Sequence, residues 1–204
     1  MNDMKKFWEE KHQENSLPYL SGHPGSAIIK GLYIELLIEK LAARSNEVLE
    51  IGVGLGICTQ DLRNLGLSIS CVDVSETALR RVEKITVRRY LASEISSLPS
   101  DHFDVAISYC VTQHINDESL SEQLREVIRS LKPEGLFAMQ YSFPAYGSQI
   151  EQSEERMQAG AVNRPIECMY NLVATAEGQI VYHRIYGVYP QYNSGWGIIH
   201  IMKT

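Results

Sequence analysis

The chain is poor in the features that would set it apart from ordinary globular proteins. It has four cysteines, Cys58, Cys71, Cys110 and Cys168, no two of them at C-x-x-C spacing, which removes the zinc-knuckle and thioredoxin patterns. Cys58, Cys71 and Cys110 each lie in an apolar run and read as small core residues. No stretch approaches the ~18 apolar residues of a membrane span, and the opening MNDMKKFWEEKHQEN has no signal-peptide core. The expected setting is therefore a reducing one, cytoplasmic, with no membrane partner. No grouping of His, Asp and Glu has metal-ligand spacing, so no metal is expected. Basic charge is also scarce, with Lys+Arg 19 against Asp+Glu 25 and a net charge of -6. Nucleic-acid binders carry a basic stripe that displaces phosphate counterions. The dense basic stretch here, Arg80, Arg81, Lys84, Arg88 and Arg89, reads as a solvated helix face running into a strand. A small-molecule partner is expected, not a nucleic acid, and the oligomeric state is left open.

What is present is ordinary: 204 residues, 44% hydrophobic and 22% charged, enough for one domain with its own core. No repeat or linker divides it. The expected organisation is a single domain over 1–204, with residues 1–25 as an N-terminal lid segment and 26–204 as an α/β core. Ile28–Leu41 carries apolar residues at helical spacing. EVLEIG is a short strand, followed by the glycines of 52–56 and a helix that stops at Gly66. SISCVDV (68–74) is a second strand, and Ser75 is placed to cap the helix after it. A third strand falls near Thr86–Leu91. FDVAISY (103–109) is a nearly continuous apolar run, as for a strand buried on both faces. A helix over Asp117–Ser130 and a strand over 135–142 follow. The 143–165 stretch is irregular, MYNLVATAEG (169–178) is helical with Gly178 as its stop, and two strands, 180–189 and 196–203, end the chain.

Strands alternating with helices imply right-handed crossovers and a parallel sheet. The connector between the last two strands has six residues, too few for a crossover, so the final strand must return antiparallel. The fold class is α/β, a Rossmann-like doubly wound seven-stranded sheet, mostly parallel with an antiparallel last strand.

The densest chemical signal is Val48-Leu-Glu-Ile-Gly-Val-Gly-Leu-Gly56, a glycine turn between a buried strand and a helix, where backbone can approach a ligand closely. Its spacing is GxGxG, not the GxGxxG of a dinucleotide fingerprint, and no GK[ST] follows for a phosphate loop. Glu50 precedes the first glycine, and Asp73 ends the next strand, where a carboxylate can accept both hydroxyls of a ribose. These residues resemble the class I S-adenosylmethionine-dependent methyltransferases over roughly Lys40 to the end. The resemblance implies that Glu50, Gly52 and Gly54 lie along the methionine and ribose parts of S-adenosylmethionine. It places Asp73 on the ribose and Val74 against adenine. Ser93–Pro99 resembles that family's GDAxxLP segment, which implies that Glu94, where the family has Asp, accepts from the adenine amino group while Ile95 packs on the ring. FDVAISYCVTQHI and LREVIRSLKPEGLFAMQ resemble the fourth-strand motif and the helix and strand after it, adding Tyr109 to the cofactor contacts.

In open α/β sheets ligands bind beyond the carboxyl ends of the parallel strands. That edge holds Tyr109–His114, Tyr141–Tyr146 and the Tyr189–Trp196 connector. His114 is the candidate catalytic base, with a pKa expected near neutrality; its alternative is a histidine bonded to a loop carbonyl. Tyr19, Tyr141, Tyr146, Tyr192 and Trp196 are the candidate acceptor-pocket residues, and the N-terminal segment with Phe7, Trp8, Tyr19 and His23 is a candidate lid. Asp104 is read as organising a strand entrance. The functional expectation is methyl transfer to a small or medium-sized polar acceptor, releasing S-adenosylhomocysteine. The alternatives are a non-catalytic module that binds either form of the cofactor, and a nucleic-acid methyltransferase, against which SYCVTQHI stands where an NPPY-type motif would lie.

Overall fold

The computed structural model describes residues 2–14, 47–147 and 152–204. The expected helix at Ile28–Leu41 and the lid residues Tyr19 and His23 lie outside the described residues. In chain order the elements are α1 (Asn2–Gln13), β1 (Glu47–Ile51), α2 (Ile57–Asn64), β2 (Ser68–Asp73), α3 (Glu76–Arg81), β3 (Arg88–Leu91), β4 (Phe103–Ser108), α4 (Asp117–Ser130), β5 (Leu131–Phe143), α5 (Glu154–Gln158), α6 (Ile166–Thr175), β6 (Gly178–Tyr189) and β7 (Ser194–Lys203). Short 3-10 turns cover Ala92–Ser97, Thr112–His114 and Pro190–Tyr192.

The strands form one seven-stranded sheet in the order β3-β2-β1-β4-β5-β7-β6. Neighbours from β3 to β5 pair in parallel, and β7 runs antiparallel to both β5 and β6. The reversed strand expected from the short connector is therefore β7. Order reverses at β1 and β4, whose carboxyl ends open the crevice where such sheets bind ligands.

Strand side chains alternate between faces, and both faces of the central strands are buried. Leu49, Ala106, Phe137, Met139, Ile199 and Ile201 pack with Leu120, Leu124 and Val127 of α4 and Met169 and Val173 of α6. Val48, Ile69, Val105, Ile107, Ala138 and Ile198 pack on the other face with Leu62 of α2. That two-sided burial is why the strand sequences read as continuous apolar runs instead of alternating.

The local signals act as their chemistry dictates. Ser75 caps α3, its hydroxyl accepting from the Ala78 N–H at 3.1 Å, and Asn116 caps α4 by accepting from Ser119. Asp104 accepts from the Glu47 N–H at 3.1 Å and pairs with Lys132 at 2.9 Å, joining the amino ends of β1, β4 and β5. Boundaries differ from expectation around α6 and at the start of β5. Helix α6 starts at Ile166, directly after Pro165, and it ends because Glu177 turns left-handed (φ 60). Gly178 is thus the first residue of β6, where a side chain would meet Ile128 and Ile201. Strand β5 starts at Leu131, pairing with Phe103 before the register shifts around the left-handed Glu134.

Gly197 lets β5 and β6 communicate across β7. A Cβ there would lie 2.5 Å from the Tyr141 ring; its absence lets that ring lie over β7 and its hydroxyl meet Nε2 of His183 on β6 at 2.7 Å. Gly197→Ala is expected to destabilise the protein by roughly 1–3 kcal/mol through overpacking, read as a lower urea midpoint with unchanged slope. An unaltered midpoint would contradict the tight approach.

Candidate active site at the carboxyl edge of the sheet

The site is built outward from the turn after β1. Gly52, Gly54 and Gly56 all have positive φ (81, 56 and 76). At Gly52 a side chain is also excluded sterically, since a Cβ would lie 2.2 Å from Val111 Cγ2. The Gly52 N–H donates to the Val72 carbonyl, tying the turn to β2. Glu50 is buried and accepts from the Thr59 hydroxyl of α2 at 2.6 Å.

Asp73 is the hub. Its Oδ2 accepts from the N–H groups of Val53 at 2.8 Å and Gly54 at 3.2 Å, and its Oδ1 accepts from the Ser75 N–H at 2.8 Å. Burial pushes this carboxyl up; the three backbone donors and the nearby His12 pull it back. A carboxylate offers about four lone-pair positions. Three are taken, so there is room for one further hydroxyl and not for the two expected from the sequence.

Helix α1 docks at this edge. Glu9 accepts from the Ser75 hydroxyl at 2.7 Å, the Thr77 N–H at 3.3 Å and the Thr77 hydroxyl. Burial alone would raise its pKa, but these hydrogen bonds and one from Gln13 lower it to about 2. The Arg81 guanidinium donates to the His12 carbonyl. His12 is 3% exposed, and its Nδ1 has no hydrogen-bond partner. Trp8 meets His114 edge-on, with ring centroids 4.7 Å apart.

His114 stands at the expected edge, and of its two readings it takes the alternative, a histidine bonded to a backbone carbonyl. Its Nδ1 lies 2.8 Å from the Met157 carbonyl; a carbonyl only accepts, so Nδ1 carries the proton. Gly160 covers the ring, with a Cβ there 2.6 Å from Cε1. Burial pushes the pKa down to about 4, against the Met157 hydrogen bond, where near-neutrality was expected. The imidazole is neutral at pH 7.

The other expected site residues divide. Val74 is half-buried beside Asp73. Glu94 is exposed and accepts from the Leu91 N–H at 3.1 Å, so its carboxylate caps its own turn, while Ile95 is buried in the core. Tyr109 and Trp196 pack against the same apolar cluster. Tyr141 lies inside β5, 1% exposed, instead of lining a loop. Tyr146 is 65% exposed, its N–H donating to Asn193 Oδ1. Tyr19 and the side chain of Tyr192 are outside the described set. Among the described residues, no cluster of three His, Cys, Asp or Glu is placed to hold a metal, and no helix is long and apolar enough to cross a membrane.

Three residues escape sequence reading. His12 and Glu9 lie one turn apart on a helix with no motif of its own. Arg164, 1% exposed, donates to Asp117 Oδ1 at 2.6 Å and to the carbonyls of Thr112 at 2.7 Å and Ile115 at 2.6 Å. Next to it, Asn163 donates to the Asn193 carbonyl and accepts from Ser194. The irregular 161–165 segment thereby clamps the loop after β4 to the β6–β7 connector. The lone signal is a charged residue in the run Val162-Asn-Arg-Pro-Ile166, which carries no periodicity.

The seven-stranded sheet with a reversed β7, a glycine turn after β1 and an acidic residue ending β2 shares its fold with solved S-adenosylmethionine-dependent methyltransferases. Residues 49–139 match the family described as "Methyltransferase domain". The chain is 32% identical over 108 residues to a malonyl-[acyl-carrier protein] O-methyltransferase of Pseudescherichia vulneris, a match covering 51% of this chain and 42% of that protein. The chain thus spans half or less of the curated relatives it matches. Among solved structures it is similar to the 1,6-didemethyltoxoflavin-N1-methyltransferase of Burkholderia thailandensis, bound to its substrate and S-adenosylhomocysteine (TM-score 0.71, 15% identity, 98% of this chain and 87% of that one). It is also similar to the N-methyltransferase NodS of Bradyrhizobium japonicum WM9 in complex with S-adenosylhomocysteine (TM-score 0.69, 15% identity, 98% of each).

The residues present suit that cofactor. Left-handed glycines open the backbone, two buried carboxylates lie close by, and the orphaned His12 Nδ1 awaits a polar partner.

Two outcomes follow from the geometry. Arg164→Met leaves two loop carbonyls without their donor and the partly exposed Asp117 without its partner, and is expected to cost about 1–3 kcal/mol, seen as an early thermal transition; a variant as stable as the parent would contradict the clamp. The His114 pKa is lower folded than unfolded, so the unfolded chain binds the proton first and stability falls as pH drops from about 6.5 towards 4. His114→Asn should flatten that slope in denaturation series, and an unchanged slope would contradict the depressed pKa.

Proposed function

We propose that the chain transfers a methyl group from S-adenosylmethionine to a small or medium-sized polar acceptor, releasing S-adenosylhomocysteine. The observation that carries this reading is the Asp73 carboxylate at the end of β2, bonded to the amides of Val53 and Gly54 in the glycine turn. In the proposed arrangement Glu50, Gly52, Gly54 and Asp73 hold the methionine and ribose ends, and Val74, Glu94, Ile95 and Tyr109 surround the adenine side. When bound, the cofactor supplies a methyl group already activated on a sulfonium. What remains for the protein is orientation, which can contribute on the order of 7–11 kcal/mol when reacting atoms are held at attack distance.

The acceptor pocket is assigned to the loops after β4 and β5 and the β6–β7 connector, with Trp196, Tyr146 and Tyr192 and with residues 1–25 as the lid; Tyr141 supports it from the core. His114, at a pKa of about 4, is a weak base, and its ring is engaged by Trp8 and Met157. An acceptor that arrives unprotonated, a carboxylate or a neutral amine, suits this site better than an alcohol. The similar proteins of known activity, an O-methyltransferase and two N-methyltransferases, are compatible with either. The basic stretch supports the exclusion of nucleic acid: Arg80 pairs with Glu9 and Glu76, and Arg89 with Glu83. A cytoplasmic setting remains part of the proposal.

Calorimetric titration tests the reading. S-adenosylmethionine and S-adenosylhomocysteine are expected to bind and NAD is not. Asp73→Ala, which releases both the ribose site and the glycine turn, should weaken binding by on the order of a hundredfold, consistent with ~1.5–3 kcal/mol per hydrogen bond to a charged group. An unchanged affinity in that variant would refute the assignment. Binding without turnover of any acceptor would favour the non-catalytic module.

A further inference from the structure

Asp73 has one acceptor position left, whereas a ribose offers two adjacent hydroxyls. The second hydroxyl needs a partner on the same side of the turn. Helix α1 brings a polar side chain there: His12 is 3% exposed, and its Nδ1 is buried with no partner. An unpaired buried polar atom is costly, and in a native structure it calls for a partner, be it water, an ion or a ligand.

The ring is not there by loose packing. One turn before it, Glu9 is fastened to Ser75 and Thr77. The His12 carbonyl itself is held by Arg81. Lys5 pairs with Glu76 at 3.5 Å, adding a third tie between α1 and α3. All three ties fall on the segment that begins two residues after Asp73, so the helix is indexed to that carboxylate. The imidazole is near enough for the Asp73 charge to oppose the effect of its burial.

We propose that His12 is a ribose-binding residue, taking through Nδ1 the cofactor hydroxyl that Asp73 has no capacity left to accept. The neutral imidazole donates or accepts at Nδ1 according to its tautomer, and a hydroxyl serves either. Helix α1 is then part of the binding site itself as well as a cover for it. The inference rests on the proposed cofactor.

The experiment measures dissociation constants of the full chain for S-adenosylhomocysteine and for its 2′,3′-dideoxyribose analogue, using the wild type, His12→Ala and His12→Gln. His12→Ala is expected to weaken S-adenosylhomocysteine binding about tenfold, the equivalent of one hydrogen bond, and His12→Gln to recover part of the loss. With the dideoxy analogue the three proteins should bind alike. A loss of equal size for both ligands would mean that His12 only supports the helix, and no loss for either would remove it from the site; each overturns the inference. If His12→Ala does not fold, the comparison of His12→Gln with the wild type across the two ligands decides in the same way. Wild type that binds S-adenosylhomocysteine while the variants lose nothing sinks this inference alone, whereas wild type that binds neither ligand sinks the cofactor assignment with it.

Discussion

The three hydrogen bonds accepted by the Asp73 carboxylate hold the functional edge together. Two fix the amides of Val53 and Gly54, and so the path of the turn between β1 and α2. The third fixes Ser75, which caps α3 through its hydroxyl and donates the same hydroxyl to Glu9 of α1. One buried carboxylate thus sets a turn, a helix start and the docking point of the N-terminal helix. Its burial would be costly without those donors, and the glycines of the turn are the residues that let the backbone supply them.

The opposite flank of the edge depends on a buried cation. Arg164 gathers Asp117 and two carbonyls of the loop after β4, and Asn163 reaches the β6–β7 connector. Between the carboxylate hub and the guanidinium clamp lie Trp8, His114 and Gly160, packed closely enough that His114 is held neutral. A rigid site without a strong base fits chemistry in which orientation supplies most of the acceleration.

The sheet was legible in the sequence because its residues obey local rules. The FDVAIS and EVLEI runs are apolar throughout since both faces of β4 and β1 are covered, and a six-residue connector leaves β7 no route but reversal. The glycine turn, Asp73 and the Ser75 cap were legible for the same reason, each being a short motif with a fixed geometric role. Boundaries failed where a left-handed non-glycine residue, Glu177 or Glu134, redirected the chain. Site assignments were hardest where the decisive partner is remote in sequence. Tyr141 reads as a loop aromatic until Gly197, from β7, gives it room in the core. His114 reads as a near-neutral base until Met157 and Gly160 enclose it. Nothing local marks His12 or Arg164, whose hydrogen-bond partners lie 47 to 69 residues away in the chain.

Whether the cofactor is received at the Asp73 hub can be read from backbone amide resonances during titration with S-adenosylhomocysteine. The largest shifts are expected on Gly52–Gly56 and Val74–Ser75, with smaller ones on the 112–114 turn. Saturable shifts confined to another part of the sheet, with these amides unmoved, would contradict that assignment.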